Sequence, residues 1–341
     1  MKQIELSEGS LLNENGELIQ AGFSFSLIRN YSRKQIKGLK TRIKEWDYYY
    51  VGDDNFGLAL TIADNSYMGL VSISILDFKK KKYITKSFIE FFTFGKYKLP
   101  SSSVEGDITI SKKKFTFNFL NNNGERRLKC SIKKLINNQD FDCEINLNTT
   151  NKKSMVIATP FKKKRHFYYN QKINCLKARG YFSLGPFYHN FSKSTTGVLD
   201  WGRGVWTYKN LWYWSSLSAL QDNHFIGFNL GYGFGDTTNA TENMFFYDDE
   251  AYKLDDVKFI IPKNNKNKDD FLSAWKIVSK NGDIDLKFNP IIDRKDYTSI
   301  GLISSDQHQV FGYFNGSITV KEKTFFIKNL LGFAEKVNNK W

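Results

Sequence analysis

Short segments in which apolar and polar residues alternate run through most of this chain. Because neighbouring side chains of a β-strand point to opposite faces, this alternation predicts strands with one buried face and one polar face. The clearest segments are Leu58–Ala63, Gly69–Asp77, Ser87–Phe94, Asp107–Ser111, Lys114–Phe119 and Arg127–Ile132. Helical spacing is scarce and predicts one helix of about three turns, Asp269–Ser279, which Asn281-Gly282 would close.

The fold class predicted from this pattern is all-β, with many antiparallel strands and few short helices. Five prolines in 341 residues fit long, uninterrupted sheets. Large sheets that no helix covers expose unpaired edges unless they close or stack, so we expect barrels or sandwiches. Two β-barrel-like domains are predicted, 1–150 and 151–341, joined near 148–165, where acidic residues disappear and Pro160 interrupts the alternation.

The composition is typical of a globular protein, since 41% of the residues are hydrophobic and 16% are aromatic. This excludes disordered and fibrous proteins. No stretch approaches the ~18 consecutive apolar residues of a membrane helix, and the amino terminus lacks a hydrophobic signal region, so we expect a cytoplasmic protein. Cys130, Cys143 and Cys175 have neither CxxC nor zinc-ligand spacing, so no disulfide, metal or cofactor is predicted.

Basic residues are concentrated in the middle of the chain. The 50 Lys and Arg against 35 Asp and Glu give a net charge of +15, and residues 145–199 contribute ten cations and no acid. The stretch 152–179, densest at Lys162–Arg165, either binds an anionic membrane surface or is a solvated strand edge. Lysines dispersed for solubility are the simpler explanation of the charge. Nucleic acid is not predicted as a partner, because the chain lacks a recognition helix and an RNA-binding motif.

The most informative segment is 197–247, because four of the seven tryptophans lie between positions 201 and 214. With Asp222-Asn223 as a two-residue turn, two strands form a hairpin. One face then brings Leu211, Tyr213, Ser215 and Leu217 against Phe234, Tyr232, Leu230 and Phe228, and is predicted to be core. The other face pairs Trp212 with Gly233, Trp214 with Gly231, Ser216 with Asn229 and Ser218 with Gly227. Indoles over glycines either shield the strand or line a pocket for a lipophilic ligand, and both interpretations stay open.

Carboxylates flank this hairpin and are the candidates for chemistry. Asp200 lies close to Arg203 in sequence, so it either pairs with Arg203 as a structural anchor or acts as an acid. Asp236 and Glu242 follow the hairpin, and a carboxyl group beside indoles would have a raised pKa that suits general acid catalysis. The period-two glycines 231, 233 and 235 precede no helix, so they are not a nucleotide-binding loop. The sequence contains no metalloprotease, serine-hydrolase or phosphate-loop motif.

Several segments carry a family resemblance: LDWGRGVWTYKNLWYWSS from Leu199, GFNLGYGFGD from Gly227, ATENMFFYD from Ala240, Lys44–Tyr49, and Gly332–Glu335 with the closing Trp341. They resemble the bacterial domain-of-unknown-function family 2804. That family is similar to lipocalin-like two-barrel proteins, among them tocopherol cyclase, carotenoid hydratase, fungal Diels-Alderases and the yeast survival-factor proteins. The resemblance therefore implies two tandem lipocalin-like β-barrels, but no reaction. The positions that match the family pattern include Trp201, Arg203, Trp206, Trp212, Trp214, Asp236, Glu242 and Asn243.

These features lead to three hypotheses. The first is a protein that binds a lipophilic small molecule, an isoprenoid or acyl lipid, in an aromatic-lined cavity. The second is an enzyme that isomerises, cyclises or hydrates such a ligand through a buried carboxylic acid. The third is a peripheral membrane or interaction protein that uses 152–179. The candidate catalytic residues are Asp236, Glu242 and Asp200, and the candidate ligand-binding residues are Trp201, Arg203, Trp206, Trp212, Trp214, Asn229 and Asn243.

Overall fold

The computed structural model describes residues 3–149, 153–300 and 303–340. Within these ranges the protein consists of 24 β-strands and two single-turn 3-10 helices, Arg33–Gln35 and Lys40–Arg42. The all-β class predicted from the alternating pattern is therefore confirmed. Lys152, at the start of the basic stretch, and the closing Trp341 lie outside the described residues.

Thirteen strands form the first sheet. They are β2 (Gly22–Ser24), β4 (Ile43–Gly52), β5 (Phe56–Asp64), β6 (Met68–Asp77), β7 (Lys82–Phe91), β8 (Ile108–Lys112), β9 (Phe115–Asn122), β10 (Glu125–Ile136), β11 (Gln139–Asn148), β12 (Met155–Pro160), β13 (Phe167–Leu184), β14 (Phe187–Asn190) and β15 (Thr196–Val205). The main hydrogen-bonded order is β7-β6-β5-β4-β15-β13-β11-β10-β9-β8. Two further short strands, β1 (Gly9–Ser10) and β3 (Arg29–Asn30), pair in parallel beside this sheet.

Nine strands form the second sheet. They are β16 (Lys209–Gln221), β17 (His224–Tyr232), β18 (Met244–Tyr247), β19 (Glu250–Lys253), β20 (Val257–Ile260), β21 (Trp275–Ser279), β22 (Ile284–Ile300), β23 (Ile303–Val320) and β24 (Lys323–Lys340). Their order is β19-β18-β17-β16-β24-β23-β22-β21-β20, and all neighbours are antiparallel. This sheet is therefore an almost continuous meander.

Each sheet curls around its own hydrophobic core. The first core contains Leu60, Phe117 and Trp201, and the second contains Trp275 and Phe288; all five side chains are fully buried. A further aromatic cluster takes Tyr48 and Tyr50 from the first sheet and Trp214, Phe311 and Phe333 from the second. The two sheets therefore pack against each other through aromatic side chains.

The chain passes from the first sheet to the second at residues 206–208. Residues beyond 150 belong to the first sheet, because β13 pairs with β11, β12 and β15. The predicted join near 148–165 contains strand β12, and the sheets do not divide there. The domain division at residue 150 stays a prediction, whereas the sheets divide after Val205.

The predicted helix Asp269–Ser279 is wrong. Residues 269–274 are irregular, with an isolated bridge at Asp269 and a turn at Phe271 and Leu272, and Trp275–Ser279 is the strand β21. Trp275 and Ile277 are fully buried while Lys276 between them is exposed, which is the period of a strand. The acidic start and the Asn-Gly end suited a helix, but the burial of Trp275 in the second core decided the conformation.

No helix in the described part of the chain is long and apolar enough to cross a membrane. Among the same residues, His, Cys, Asp and Glu side chains form no group of three or more that could hold a metal ion.

Candidate ligand-binding cavity

The predicted hairpin is present, and most of its register is confirmed. β16 and β17 pair from Tyr213 with Tyr232 to Gln221 with His224, and they include Trp214 opposite Gly231 and Ser216 opposite Asn229. The turn residues Asp222 and Asn223 have φ of +52° and +65°, the left-handed conformation that a two-residue hairpin turn requires. Local turn chemistry therefore set this register.

The open end of the hairpin departs from the prediction. β17 ends at Tyr232, and Gly233 has φ of +94°, which turns the chain. Phe234 consequently packs on the tryptophan side, and its ring lies 5.3 Å from the Trp212 ring. Leu211, the predicted core partner of Phe234, is 42% exposed.

A cavity of about 110 Å³ lies beside the tryptophan face of the hairpin, between the two sheets. One side of the cavity comes from strands β4, β13 and β15. The other side comes from β16, β24 and the two segments that flank Asp236. The lining residues are Trp46, Tyr168, Lys172, Asp200, Trp206, Trp212, Trp214, Phe234, Glu242 and Glu335. The cavity thus combines six aromatic side chains with one cation and three carboxylates.

The aromatic wall is built from edge-to-face contacts. The Trp206 ring lies 4.6 Å from Phe234, 5.2 Å from Trp46 and 5.9 Å from Trp212, with interplanar angles between 69° and 79°. Trp46 also covers Gly202, because a Cβ at that glycine would lie 2.0 Å from the indole. We predicted that tryptophans of the hairpin shield strand glycines. At Gly202 this shielding comes from Trp46, which is not part of the hairpin.

The polar end of the cavity is centred on Lys172. Its Nζ lies 2.8 Å from Oδ2 of Asp200, its partner across β13 and β15, and 3.7 Å from the ring centroid of Trp214. Asn170 donates a 2.6 Å hydrogen bond to the other oxygen of Asp200. Lys172 is 3% exposed, and it is the only cation among the described lining residues. Its charge is balanced by Asp200 and by the indole face.

Two further carboxylates reach the cavity from the second sheet. Glu335 accepts hydrogen bonds from Nε1 of Trp212 at 2.8 Å and from Nε2 of Gln309 at 3.1 Å. Glu242 accepts from Nδ2 of Asn229 at 3.5 Å, and a Cβ at Gly231 would lie 2.6 Å from its Oε1. The groups nearest to Gly231 are thus a carboxylate and a backbone carbonyl and not the predicted indole, and only glycine leaves room for the carboxylate.

Burial changes the proton affinity of these groups. It raises the pKa of Glu335 to about 6, although the Trp212 hydrogen bond and the Lys172 charge act in the opposite direction. Burial also raises the pKa of Glu242, against the effect of Lys172. The hydroxyl of Tyr168 has no hydrogen-bond partner among the described residues, and burial raises its pKa well above 10. Burial therefore favours the protonated form of all three groups beside an apolar wall.

Glu335→Gln should flatten the pH dependence of stability. Between pH 4.5 and about 6, Glu335 is protonated in the folded protein and ionised in the unfolded chain. The stabilisation of the folded protein by this proton is therefore lost as the pH rises through that range. Wild type should lose about 2 kcal/mol more than the variant between pH 4.5 and 7. Urea unfolding at a series of pH values measures the difference, and parallel curves for the two proteins would contradict it.

Five of the predicted site residues line the cavity: Asp200, Glu242, Trp206, Trp212 and Trp214. Asn229 stands behind the wall, where its Oδ1 accepts a 2.6 Å hydrogen bond from Trp214 Nε1. Its amide also donates to the backbone carbonyl of Glu242 at 2.7 Å. Asn229 therefore positions two lining residues and does not itself form the surface.

Four predicted site residues lie elsewhere. Trp201 is fully buried in the first core, and Arg203 is held by Asp47 and by backbone carbonyls. Asn243 accepts a 2.7 Å hydrogen bond from the Gly231 N–H. Asp236 is exposed and caps a turn by accepting from the Thr238 N–H at 3.1 Å. None of these four is among the residues that line the cavity.

Sequence reasoning missed Trp46, Tyr168, Lys172, Phe234 and Glu335 as cavity residues. Trp46 and Glu335 do lie in segments that carry the family resemblance, so that signal was available. Lys172 was counted with the basic stretch 152–179, whose charge suggested a surface. Its neighbours Gln171 and Ile173 are buried as well, so this part of the stretch is interior.

The comparisons with known proteins concern the family and the fold. A model of the family described as "Domain of unknown function (DUF2804)" matches residues 2–341, so the chain belongs to that family. The resemblance drawn from the motifs is thereby confirmed. A search of curated protein sequences finds no match.

Solved structures share the architecture at low identity. A protein described as an AttH, from Nitrosomonas europaea, superposes with a TM-score of 0.54 at 12% identity over 86% of this chain and 92% of its own. Kievitone hydratase from Nectria haematococca gives 0.48 at 12% identity over 94% and 98%, and CghA gives 0.41 at 7% over 98% and 97%. The first likeness shows the fold, and the two curled sheets are those of a lipocalin-like two-barrel protein.

Proposed function

We propose that this member of the DUF2804 family binds a lipophilic small molecule that carries one polar group. The observation behind the proposal is the juxtaposition, in one cavity, of the indoles of Trp206, Trp212 and Trp214 with the buried pair Lys172–Asp200. Keeping such a pair desolvated beside indoles costs folding free energy that an apolar core would not. A site that orients a ligand accounts for this cost.

The size of the cavity limits what it holds. Its volume of about 110 Å³ is somewhat smaller than the ~150 Å³ cavity that accommodates benzene in another protein. Whole drug-sized ligands need roughly 300 Å³ or more. The cavity therefore takes one ring or one branched end of the ligand, and the remainder extends past the half-buried Trp46 and Trp212.

The charges favour a particular polar group. Asp200, Glu242 and Glu335 outnumber Lys172, so a second anion at this end would meet mainly carboxylates. A hydroxyl or another hydrogen-bond donor meets acceptors instead. The Tyr168 hydroxyl, which has no hydrogen-bond partner among the residues that the structure describes, supplies a further contact. An isoprenoid alcohol or phenol thus fits the proposal better than a free fatty acid.

Trp212→Phe should lower ligand retention at least about tenfold, because it removes apolar surface of the wall and the hydrogen bond to Glu335. Protein purified from the expression host is analysed by native mass spectrometry, and a solvent extract identifies what is bound. Trp201→Phe is the matched control, since Trp201 lies in the first core and should keep the ligand. An empty wild-type protein, or equal loss from both variants, would speak against the proposal.

A second candidate function is acid catalysis on the bound ligand, an isomerisation, cyclisation or hydration. It is favoured by Glu335, whose pKa of about 6 and place in the cavity let it hold a proton beside an apolar substrate near neutral pH. The extracted ligand is incubated with wild type and with Glu335→Gln. Conversion by wild type alone, with equal ligand retention, supports catalysis; an unchanged ligand with both proteins supports binding only.

A further inference from the structure

The Phe92–Phe94 loop, residues 92–98 after β7, exposes large apolar side chains. Phe92 is 63% exposed and Phe94 is 44% exposed, and their stacked rings lie 6.3 Å apart. Their φ angles are +60° and +45°, in the left-handed region that bulky residues rarely adopt. Such conformations persist only where the surrounding structure imposes them. The fold therefore holds two phenyl rings in solvent at a conformational cost.

Buried hydrogen bonds impose this conformation. Asp64, which is fully buried, accepts from the Thr93 hydroxyl at 2.9 Å and from the Gly95 N–H at 2.8 Å. The Phe94 N–H donates to the carbonyl of Ser66 at 2.9 Å. The loop backbone is thus tied to the end of β5, and its phenyl rings are presented rigidly.

Exposed lysines lie in the loop and in the segment next to it. Lys96 and Lys98 of the loop are exposed, and no ion pair among the described residues includes either of them. The Ser66 hydroxyl also accepts a 3.2 Å hydrogen bond from Arg33, which begins the adjoining segment 33–42. That segment exposes Leu39, at 67%, together with Lys34, Lys37 and Lys40. Exposed apolar tips and lysines therefore occur together on the surface formed by the loop and by the segment that Arg33 joins to it.

The same surface continues into an open groove of about 590 Å³. Lys37 and Leu39 line the groove together with Lys163, Lys164 and Arg165, the exposed turn between β12 and β13. Glu17 is the one acid among the described lining residues. This turn is one part of the basic stretch 152–179 that reaches solvent, as do Lys177 and Arg179, whereas the aromatic residues after it, Phe167–Tyr169, are buried.

We propose that this face, formed by the Phe92–Phe94 loop, segment 33–42 and the turn 162–165, binds an anionic lipid bilayer. Charge complementarity selects this occupant, because exposed apolar tips inside a field of cations match acyl chains beneath anionic headgroups. Val205 lines the groove, and the next residue, Trp206, lines the cavity. The membrane face therefore adjoins the cavity, but its evidence is independent of the proposed function.

Co-sedimentation with vesicles tests this proposal. The full chain should bind vesicles of phosphatidylcholine with phosphatidylglycerol and bind pure phosphatidylcholine much more weakly. Phe92→Asn with Phe94→Asn should weaken binding about tenfold or more, and asparagine suits the left-handed backbone, so folding is preserved. Lys163→Glu with Lys164→Glu and Arg165→Glu should weaken it about 100-fold and remove most of its salt dependence.

Phe326→Asn is the matched control, since Phe326 is 62% exposed but lies on the second sheet. Several outcomes would overturn the proposal: wild type that ignores anionic vesicles, equal binding to both lipid compositions, or a control variant that loses as much binding as the paired variant. Light scattering of the protein without vesicles could give one more contradicting outcome. A dimer that the paired phenylalanine variant separates into monomers would assign this face to a second copy of the chain.

Discussion

Asp47→Ala is expected to lower the free energy of unfolding by about 3–5 kcal/mol, because it leaves a buried guanidinium without its counter-charge. Nη2 of Arg203 lies 2.9 Å from Oδ1 of Asp47, and the side-chain exposures are 0% and 9%. Burial raises the pKa of Asp47, and Arg203 opposes this shift, so each group needs the other. Equilibrium urea unfolding at neutral pH measures the loss.

The control for Asp47→Ala is Lys328→Ala, which breaks an ion pair with Asp222 in which both side chains are about two-thirds exposed. It should cost less than about 1 kcal/mol. A loss of comparable size in the two variants would contradict the buried-anchor role of Arg203. If Asp47→Ala folds like wild type but loses ligand, the initial prediction that Arg203 contacts ligand is restored.

Lys172→Met is expected to cost about 3–5 kcal/mol at pH 8, because it leaves three carboxylates in one desolvated cavity without a cation. The positive charge of Lys172 lowers the pKa of Glu242 and of Glu335, so both pKa values should rise further in the variant. A carboxyl group whose pKa is raised by folding destabilises the folded protein when the pH lies above the folded-state pKa. It has no such effect when the pH lies below its pKa in the unfolded chain. The loss should therefore shrink as the pH falls to about 4.5.

Two variants complete this test. Lys276→Met removes an exposed lysine from β21 and should change stability by less than about 0.5 kcal/mol at either pH. Lys172→Met combined with Asp200→Asn removes both partners of the ion pair and should recover much of the loss, since Asn can still accept from Asn170. A pH-independent loss, or no recovery in the double variant, would show that Lys172 acts through packing and not through charge.

The hairpin shows how far local sequence information extends. Asp222 and Asn223 adopt the left-handed backbone that their side chains tolerate, and this turn alone aligned Trp214 with Gly231. Once Gly233 bends the chain, the alternation no longer applies, and Phe234 changes sides. The helix prediction failed for a different reason, because the packing of the core around Trp275 outweighed the helix-like ends of its segment.

The cavity could be predicted only in part. Trp206, Trp212 and Trp214 were recognisable because they crowd one short segment, and Glu242 and Asp200 because they flank it. Trp46, Lys172 and Glu335 come from three other strands, and no local pattern links them to the hairpin. Arg203 and Trp201 sit in the same motif as the lining residues but face the first core, because side chains alternate along β15 and Asp200 takes the face towards the cavity.

By itself, the sequence determined the strand alternation, the all-β class, the hairpin register and the family, because these depend on neighbouring residues or on the motifs themselves. Only the tertiary structure decided where the sheets divide, which carboxylates share a cavity and which lysine is buried among them. These properties depend on contacts between strands far apart in the chain, and such contacts are selected by the packing of two whole sheets against each other.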